Sequence, residues 1–492
     1  MPSDPPLTPE SVPSRSPDER ALVDALFRRG QGHVFRFFAE LGDAERRSFL
    51  DQLRAIDLDL LDRLIAEIAA PGAPARAPRL APVDAIEPPS ARGGAAGDLA
   101  AIRAEGEGLL RAGRVAAFVV AGGQGTRLGL DTPKGLFPVG PVTGKSLFQI
   151  HAEKILHWSR RFSCPIPLVI MTSPATHGAT VEFFERHRRF GLRAEDVLFA
   201  PQATIPAVDF QGKLLLEERH RIFTNPNGHG GSFHALAVSG ALRVLENRGI
   251  EHLSYFQVDN PLLPVLDPVF LGHHVRHRSE MSSKVVEKTE PGEKVGVVAS
   301  IDGRPGVVEY SDLPADLMTR RDALGRLEFR HGSIAVHAFS LAFVRRMAEG
   351  RASLPFHRAE KKIPHVGADG RRVTPAAPNG IKFETFVFDA LPFARNPIFV
   401  RVERSEEFYP LKNASGENSP ETVRLAIVEQ HASWLRAAGI DVPRDAAGRS
   451  APLEIGPLFA VDRESLASRL ASSPVEFVPG IVLDEPRPRS GG

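Results

Sequence analysis

Between residues 114 and 260 the hydrophobic period of this chain switches back and forth, and that alternation restricts its fold more than any other feature. RVAAFVVA (114–121), PLVIMTS (167–173) and LSYFQVDN (253–260) are short apolar runs, the pattern of strands buried on both faces. SLFQIHAEKILHWSRR (146–161), ATVEFFERHRRFG (179–191) and SFHALAVSGALRVLENRG (232–249) carry apolar residues three and four apart, the helical spacing, with Ser146 placed to cap the first. Strands alternating with helices predict a largely parallel sheet covered on both faces. KVVEK, VGVVASI, GVVEY and SIAVHAF, within 284–338, read as an antiparallel extension of that sheet. ETFVFDAL (384–391) and PETVRLAIVEQHASWL (420–435) read as helices.

A chain of 492 residues exceeds what one core usually holds. Residues 1–17, rich in Pro, Ser and Asp, are expected to be loose, as is the tail DEPRPRSGG. ERALVDALF, VFRFFAEL, ERRSFLDQL and DLLDRLIAEI make 18–70 helical, with Asp43 and Asp57 at N-cap positions. Residues 71–97, dense in Pro, Ala and Gly, read as a linker or irregular strap. The expected organisation is a helical segment and linker over 1–98, an α/β domain over 99–415 and a smaller C-terminal domain with its tail over 416–492.

Charge excludes one class of partner. Lys plus Arg is 61 and Asp plus Glu is 60, so a broad phosphate-tracking surface for nucleic acid is not expected, although a local basic pocket is. The single cysteine, Cys164, allows no intrachain disulfide and reads as a core residue. No secretory leader and no apolar run of about 18–20 residues stands out, so the expectation is a cytoplasmic chain with no membrane contact.

VVAGGQGTRLGLDTPKG (119–135) leaves a buried strand directly, and ligands of parallel α/β sheets sit off the carboxyl ends of strands. Gly122, Gly123 and Gly125 let backbone N–H groups approach a phosphate or a base edge, and Arg127 and Lys134 add two cations. Two familiar phosphate motifs do not fit. The stretch Gly123–Gly129 has one residue too many for the dinucleotide fingerprint, and Gly140–Ser146 has one too few for a P-loop, so a kinase survives as a near miss.

AGGQGTRLG followed by PKG resembles the UDP-sugar pyrophosphorylases, the UTP–sugar-1-phosphate uridylyltransferases, and most of all their UDP-N-acetylhexosamine branch. PAVDFQGKLLLEE (206–218), NGHGGSFHAL (227–236), QVDN (257–260), KVVEKTEPGEKVGVV (284–298), GVVEYS (306–311), KKIPHV (361–366), NGIKFETFVFD (379–389) and YPLKNASG (409–416) follow in the family's order. The resemblance implies a Rossmann-like, GT-A-like α/β fold with a mixed sheet, an N-terminal helical segment and a smaller C-terminal domain, in which 99–415 is the nucleotidyltransferase domain. It implies that UTP and a sugar 1-phosphate give pyrophosphate and a UDP-sugar, UDP-N-acetylglucosamine or a related UDP-hexose, by Mg²⁺-assisted in-line attack on the α-phosphorus. A catalytically silent UDP-sugar sensor is the alternative, against which stand four residues that a sensor does not need: Arg127, Lys134, Asp259 and Lys412.

On that resemblance Arg127 and Lys134 hold the triphosphate and the leaving pyrophosphate, and Lys412 reaches the sugar phosphate. Ala121, Gly122, Gly123, Gly125 and Thr126 line the nucleotide, Gln202 reads the uracil edge with its donor and acceptor, and Gly228 opens backbone to the same base. Asp259 is the Mg²⁺ ligand, although spacing alone favours a turn cap. His229, Asn260, Gly296, Glu309, Ser333, Phe386 and Phe388 face the sugar.

The chain departs from the family in places. His229 and Ser333 stand where relatives carry Asn, as does Val336, and Phe137-Pro138 stands where Tyr-Asp is usual. An unpaired buried polar group costs about 1–3 kcal/mol, so these changes leave glucose, galactose and N-acetylgalactosamine 1-phosphates open beside N-acetylglucosamine 1-phosphate. His273, His274 and His277 lack the partners of a zinc site and read as a solvated helix face.

Overall fold

The structure, a computed structural model, describes residues 7–69, 78–88, 96–350 and 354–485. The looseness expected of residues 1–6 and of the tail from 486, and part of the expected linker, fall outside the described residues. Contacts group the chain into two units, which do not follow the expected linear order of three domains. The first draws on 1–78, 203–231 and 354–386, and the second on everything else, including the C-terminal region.

In the first unit the helices Pro17–Arg28, Asp43–Arg54 and Leu58–Ala69 form as the spacing predicts. Asp57 caps the third by accepting from Leu60 N at 2.9 Å, whereas Asp43 is the first residue of its helix and Gly42 takes the cap position. VFRFFAEL is not a helix. It makes two 3-10 turns, Gly32–Phe35 and Phe38–Glu40, with Val34, Phe35, Phe37 and Phe38 all buried. Those rings join Val23, Leu26, Phe49 and Leu53 in one core with Leu214, Ile222, Ile381 and Phe383. The buried Gln31 amide ties the leader to residues 212–214, donating to Gly212 O at 2.8 Å and accepting from Leu214 N at 2.9 Å. A strand at Gly380–Glu384 pairs antiparallel with His357–Lys361 and Val208–Asp209. The helix expected over 384–391 does not form, because Thr385 bonds through its N–H to Asn227 O and through its carbonyl to Gly230 N. The chain then enters the second unit with a 3-10 segment at Val387–Phe393.

The second unit is built on a ten-stranded mixed sheet. Its strands are β1 (Leu80–Pro82), β2 (Val115–Val120), β3 (Leu168–Thr172), β4 (Val197–Pro201), β5 (His252–Gln257), β6 (Met281–Glu287), β7 (Val297–Ile301), β8 (Arg304–Val308), β9 (His331–Ser340) and β10 (Ile398–Arg401). The path β1-β7-β9-β5-β2-β3-β4 is parallel from β5 to β4 and antiparallel before it; β6 pairs antiparallel with β9 and parallel with β10, and β8 pairs antiparallel with β7. This is the parallel core with an antiparallel extension that the alternation predicts. Within the expected strap the described residues 78–88 take a form: β1 pairs with β7, and Ile86 bridges to Val400.

Four helices matter below: α1 (Ala96–Arg111), α2 (Leu147–Arg161), α3 (Pro268–Arg276) and α4 (Pro420–Ala437). Ser146 caps α2 by accepting from Gln149 N. The long helix expected over 232–249 is two short ones, Ser232–Val238 and Ala241–Asn247, broken where Gly240 takes a φ of 77°. Cys164 is half-buried rather than in the core. His274 is not solvated: it is buried and shares a hydrogen bond with Ser282 Oγ at 2.8 Å. Among the described residues no three His, Cys, Asp or Glu side chains could hold a metal between them, and no helix is long and apolar enough to cross a membrane.

Candidate active site

Parallel pairing puts Val120 beside Gln257, Met171 beside Val120 and Pro201 beside Thr172. The residues that follow β5, β2 and β4 therefore emerge at one edge of the sheet, where ligands of open α/β folds bind. The glycine loop after β2 closes on itself. Gly125 N donates to Thr132 O at 3.0 Å, Leu130 N to Gly125 O at 3.1 Å and Lys134 N to Gly123 O at 3.2 Å. Thr126–Leu128 make a 3-10 turn that ends at Gly129 with a φ of 74°, and Arg127 projects from it into solvent.

Gln202 follows β4 and donates its N–H to Thr172 O at 2.8 Å. Its side chain is buried, and its Oε1 has no hydrogen-bond partner among the described residues. A Cβ built on Gly122 would lie 2.4 Å from its Nε2, so only glycine lets the amide rest against the loop. A buried amide with an unused acceptor is costly, and a ligand edge that offers a donor would remove that cost.

Asp259 lies in the turn two residues beyond β5, and Lys134 donates to its Oδ2 at 3.1 Å, both side chains being about one-fifth exposed. Leu411 N donates to Asp259 O at 2.8 Å, which brings the segment carrying Lys412 to the same turn. Lys412 and Arg127 are exposed, and neither makes an ion pair with any described residue. As a metal centre the site offers the hard Asp259 carboxylate, and among the described residues no group of three His, Cys, Asp or Glu side chains gathers there. That donor set fits Mg²⁺, which proteins hold through one or two carboxylates with substrate phosphates and water. It does not fit a structural cation held by protein alone.

The turn itself is held by a row of donors on α2. His151 Nε2 meets Val258 O at 3.0 Å, Lys154 Nζ donates to Pro261 O at 2.6 Å and Leu263 O at 2.7 Å, and Trp158 Nε1 donates to Val265 O at 3.1 Å. All three side chains are buried, on one face at helical spacing. Burial lowers the Lys154 ammonium to about 7 and His151 to about 3. Sequence reasoning missed this row, whose polar residues sit in a stripe otherwise apolar.

The sugar-facing candidates fall into separate groups. Gly296, Glu309 and Ser333 gather where β7, β8 and β9 meet: Ser333 N donates to Gly296 O at 2.8 Å, and a Cβ on Gly296 would lie 3.6 Å from Glu309 Oε1. Phe388 is buried. Asn260 differs from expectation. It is 3% exposed, and its amide serves the backbone, Nδ2 donating to Glu407 O at 2.6 Å and Oδ1 accepting from Tyr409 N at 3.1 Å. In the first unit, Gly228 has a φ of 74° and a Cβ there would lie 2.4 Å from Thr385 O. His229 stacks on Phe386 with ring centres 5.3 Å apart, and His357 packs on the same ring at 4.4 Å. Burial, with His357 nearby, lowers His229 to about 4, so its imidazole is neutral at pH 7.

The P-loop near miss has a structural explanation. Glu454 accepts from Val142 N at 2.9 Å, Thr143 N at 2.8 Å and Thr143 Oγ1 at 2.6 Å, filling the place a phosphate would take. Lys145 is buried in ion pairs with Glu153 and Asp484, each at 2.6 Å. A kinase would need that ammonium and those amides available for nucleotide, so the kinase reading falls.

The model of the family described as UTP–glucose-1-phosphate uridylyltransferase matches residues 83–452. The chain is 38% identical over 481 residues to UDP-N-acetylhexosamine pyrophosphorylase-like protein 1 of Xenopus tropicalis, spanning 92% of this chain and 94% of that one. To the UDP-N-acetylglucosamine pyrophosphorylase of Saccharomyces cerevisiae it is 38% identical over 337 residues, 66% of this chain and 71% of that one. Among solved structures it resembles the uridine diphosphate N-acetylglucosamine pyrophosphorylase from Trypanosoma brucei, with a TM-score of 0.80 and 28% identity over 96% of this chain and 99% of that one. A similar match is the structure titled UDP-N-acetylglucosamine pyrophosphorylase from Entamoeba histolytica, with a TM-score of 0.74 and 31% identity, covering 82% of this chain and all of the other.

Proposed function

This chain belongs to the UTP–glucose-1-phosphate uridylyltransferase family and is a UTP–sugar-1-phosphate uridylyltransferase; we propose that N-acetylglucosamine 1-phosphate is its sugar substrate and Mg²⁺ its cofactor. The observation that carries the site assignment is the Lys134–Asp259 pair, which joins the loop after β2 to the turn after β5, with the Lys412 segment hydrogen-bonded to Asp259. The names of the relatives, which specify N-acetylglucosamine or N-acetylhexosamine, support the sugar. The near balance of charge, a net of +1, supports small anionic substrates over nucleic acid, and we infer the cytoplasm as the compartment from the one-cysteine composition.

The reaction joins two polyanions, so the protein's task is positioning and charge compensation. The oxygen of the sugar phosphate attacks the α-phosphorus of UTP in line, and pyrophosphate leaves. In this reading Gln202 takes the uracil edge with its unused acceptor, and the loop receives the phosphates on the N–H groups of Gly122, Gly123 and Thr126, since those of Ala121 and Gly125 are bonded to Met171 O and Thr132 O. Arg127, free of ion pairs among the described residues, and Lys134 compensate the triphosphate and the departing pyrophosphate. Lys412 compensates the incoming sugar phosphate. Asp259 would hold Mg²⁺ together with substrate oxygens, and the ion when bound supplies charge neutralisation at the phosphates. In the second unit Gly296, Glu309, Ser333 and Phe388 remain the proposed sugar contacts.

The test is pyrophosphate release from UTP and Mg²⁺ with a panel of sugar 1-phosphates. The highest kcat/KM is expected with N-acetylglucosamine 1-phosphate. A clear preference for glucose or galactose 1-phosphate would overturn the sugar assignment. Tight UDP-sugar binding without any pyrophosphate would favour a sensor.

A further inference from the structure

We propose that Asn260 is a positioning residue for the transfer, setting the segment that carries Lys412 against the turn that carries Asp259. The proposal rests on the uridylyl-transfer reading and departs from the sugar contact that resemblance implies for Asn260.

The two segments are anchored unequally. Residues 258–265 are held from α2 by His151, Lys154 and Trp158, and Asp259 is also held by Lys134. Residues 406–412 run as a short helix Arg404–Glu407 and then irregular backbone. Glu406 and Glu407 are secured through their side chains, to Trp434 Nε1 at 2.8 Å and Lys284 Nζ at 2.5 Å. Beyond Glu407 the backbone alternates its partners: Phe408 N bonds back to Arg404 O at 2.9 Å and Lys412 N on to Asn418 O at 2.8 Å, while the 259–260 turn takes Tyr409 N on Asn260 Oδ1 at 3.1 Å and Leu411 N on Asp259 O at 2.8 Å. Asn260 Nδ2 closes the clamp on Glu407 O at 2.6 Å. A second buried amide repeats the device: Gln430 Nε2, on α4, donates to Leu262 O at 3.2 Å and Glu406 O at 2.5 Å.

An asparagine that is 3% exposed and bonded through both amide atoms to backbone has little left to offer a sugar hydroxyl. What it does fix is the approach of the Lys412 segment to Asp259. A misplacement of about 1 Å between reacting groups costs about a hundredfold in rate, so a side chain that touches no substrate acquires a measurable kinetic effect.

The experiment is a double-mutant cycle on kcat/KM with Asn260→Ala and Lys412→Ala, run with N-acetylglucosamine and glucose 1-phosphates, together with hydrogen exchange of the wild type and the Asn260 variant. Asn260→Ala is expected to lower kcat/KM about thirtyfold in the wild-type background and less than about threefold once Lys412 is gone, since a lysine that is absent needs no placing. The factor should be the same for both sugars, with the KM for UTP unchanged. Exchange at 406–412 should quicken while 258–265 stays protected. A full thirtyfold loss in the Lys412→Ala background, or a loss that depends on the sugar, overturns the proposal. So does unchanged exchange at 406–412, whether or not the enzyme turns over. If Asn260→Ala does not fold, Gln430→Met carries the same cycle, with a smaller loss of the same sign that also vanishes with Lys412. Absence of wild-type turnover with every sugar would count against the uridylyl-transfer reading, and the exchange result would still decide the clamp.

Discussion

Gly122→Ala tests the proposed base-reading role of Gln202. The new Cβ would stand 2.4 Å from Gln202 Nε2 and 3.4 Å from Ser173 N. Gly122 is not among the residues with positive φ, so its backbone accepts alanine and the effect comes from the methyl group alone. Ordinary contact begins near 3.4 Å, so the Gln202 amide must retreat by about 1 Å, and it lies at the end of a side chain that moves without the backbone. A displaced amide forfeits its hydrogen bonds to the base, worth about 1–3 kcal/mol, which corresponds to roughly a tenfold to hundredfold rise in the KM for UTP. The assay is initial-rate pyrophosphate release with UTP varied at saturating sugar phosphate. At saturating UTP, kcat should stay within about threefold of wild type, because the methyl group removes no cation from the phosphates. Discrimination of UTP over CTP should fall as the KM rises. An unchanged KM with an unchanged melting temperature would refute the assignment of Gln202 to the uracil edge.

Three other outcomes are expected. Lys134→Ala removes a cation and its 3.1 Å bond to Asp259, and should lower kcat by about 10²–10³ while changing UDP-sugar affinity less than about threefold; equal losses in both, by kinetics and calorimetry, would remove its role at the leaving group. Acid should weaken the fold through three buried histidines, His151, His274 and His431, whose burial lowers each to about 3. Each is neutral when folded and protonates near 6.5 when unfolded, so its contribution is complete above 6.5 and is lost as pH falls, together about 3–4 kcal/mol between pH 7 and 5.5; a melting temperature flat over that range would contradict this. Gly272→Ala should cost more than about 3 kcal/mol in denaturant melts, because its Cβ would lie 1.9 Å from Ile102 O where α3 and α1 meet backbone to backbone; a stable, well-folded variant would show that the helices separate easily.

The parallel core was legible because strands buried on both faces leave unbroken apolar runs, as in AAFVV and LVIMT. Once β2 and β5 pair in parallel, the loop at 121 and the carboxylate at 259 must leave the sheet at the same edge, which is why two motifs far apart in sequence met in one site. What was not legible depends on pairing between distant segments. The first unit assembles three separated stretches, and nothing local in VFRFFAEL or ETFVFDAL announces that Leu214 or Asn227 will be the partner that overrides helical spacing. His151, Lys154 and Trp158 show one face of a helix but not which carbonyls they meet, and the amide of Asn260 reads equally as a ligand for sugar or for backbone until Glu407 and Tyr409 are seen beside it.

The claim on which the rest depends is that Asp259 and the glycine loop serve one nucleotide and one divalent ion. Anomalous scattering from crystals grown with Mn²⁺ and a non-hydrolysable UTP analogue tests it directly. A manganese peak is expected within about 2.5 Å of an Asp259 carboxylate oxygen, touching the nucleotide phosphates, with the uracil edge on Gln202. Nucleotide bound in full with its manganese away from Asp259, or with its base away from Gln202, would contradict it.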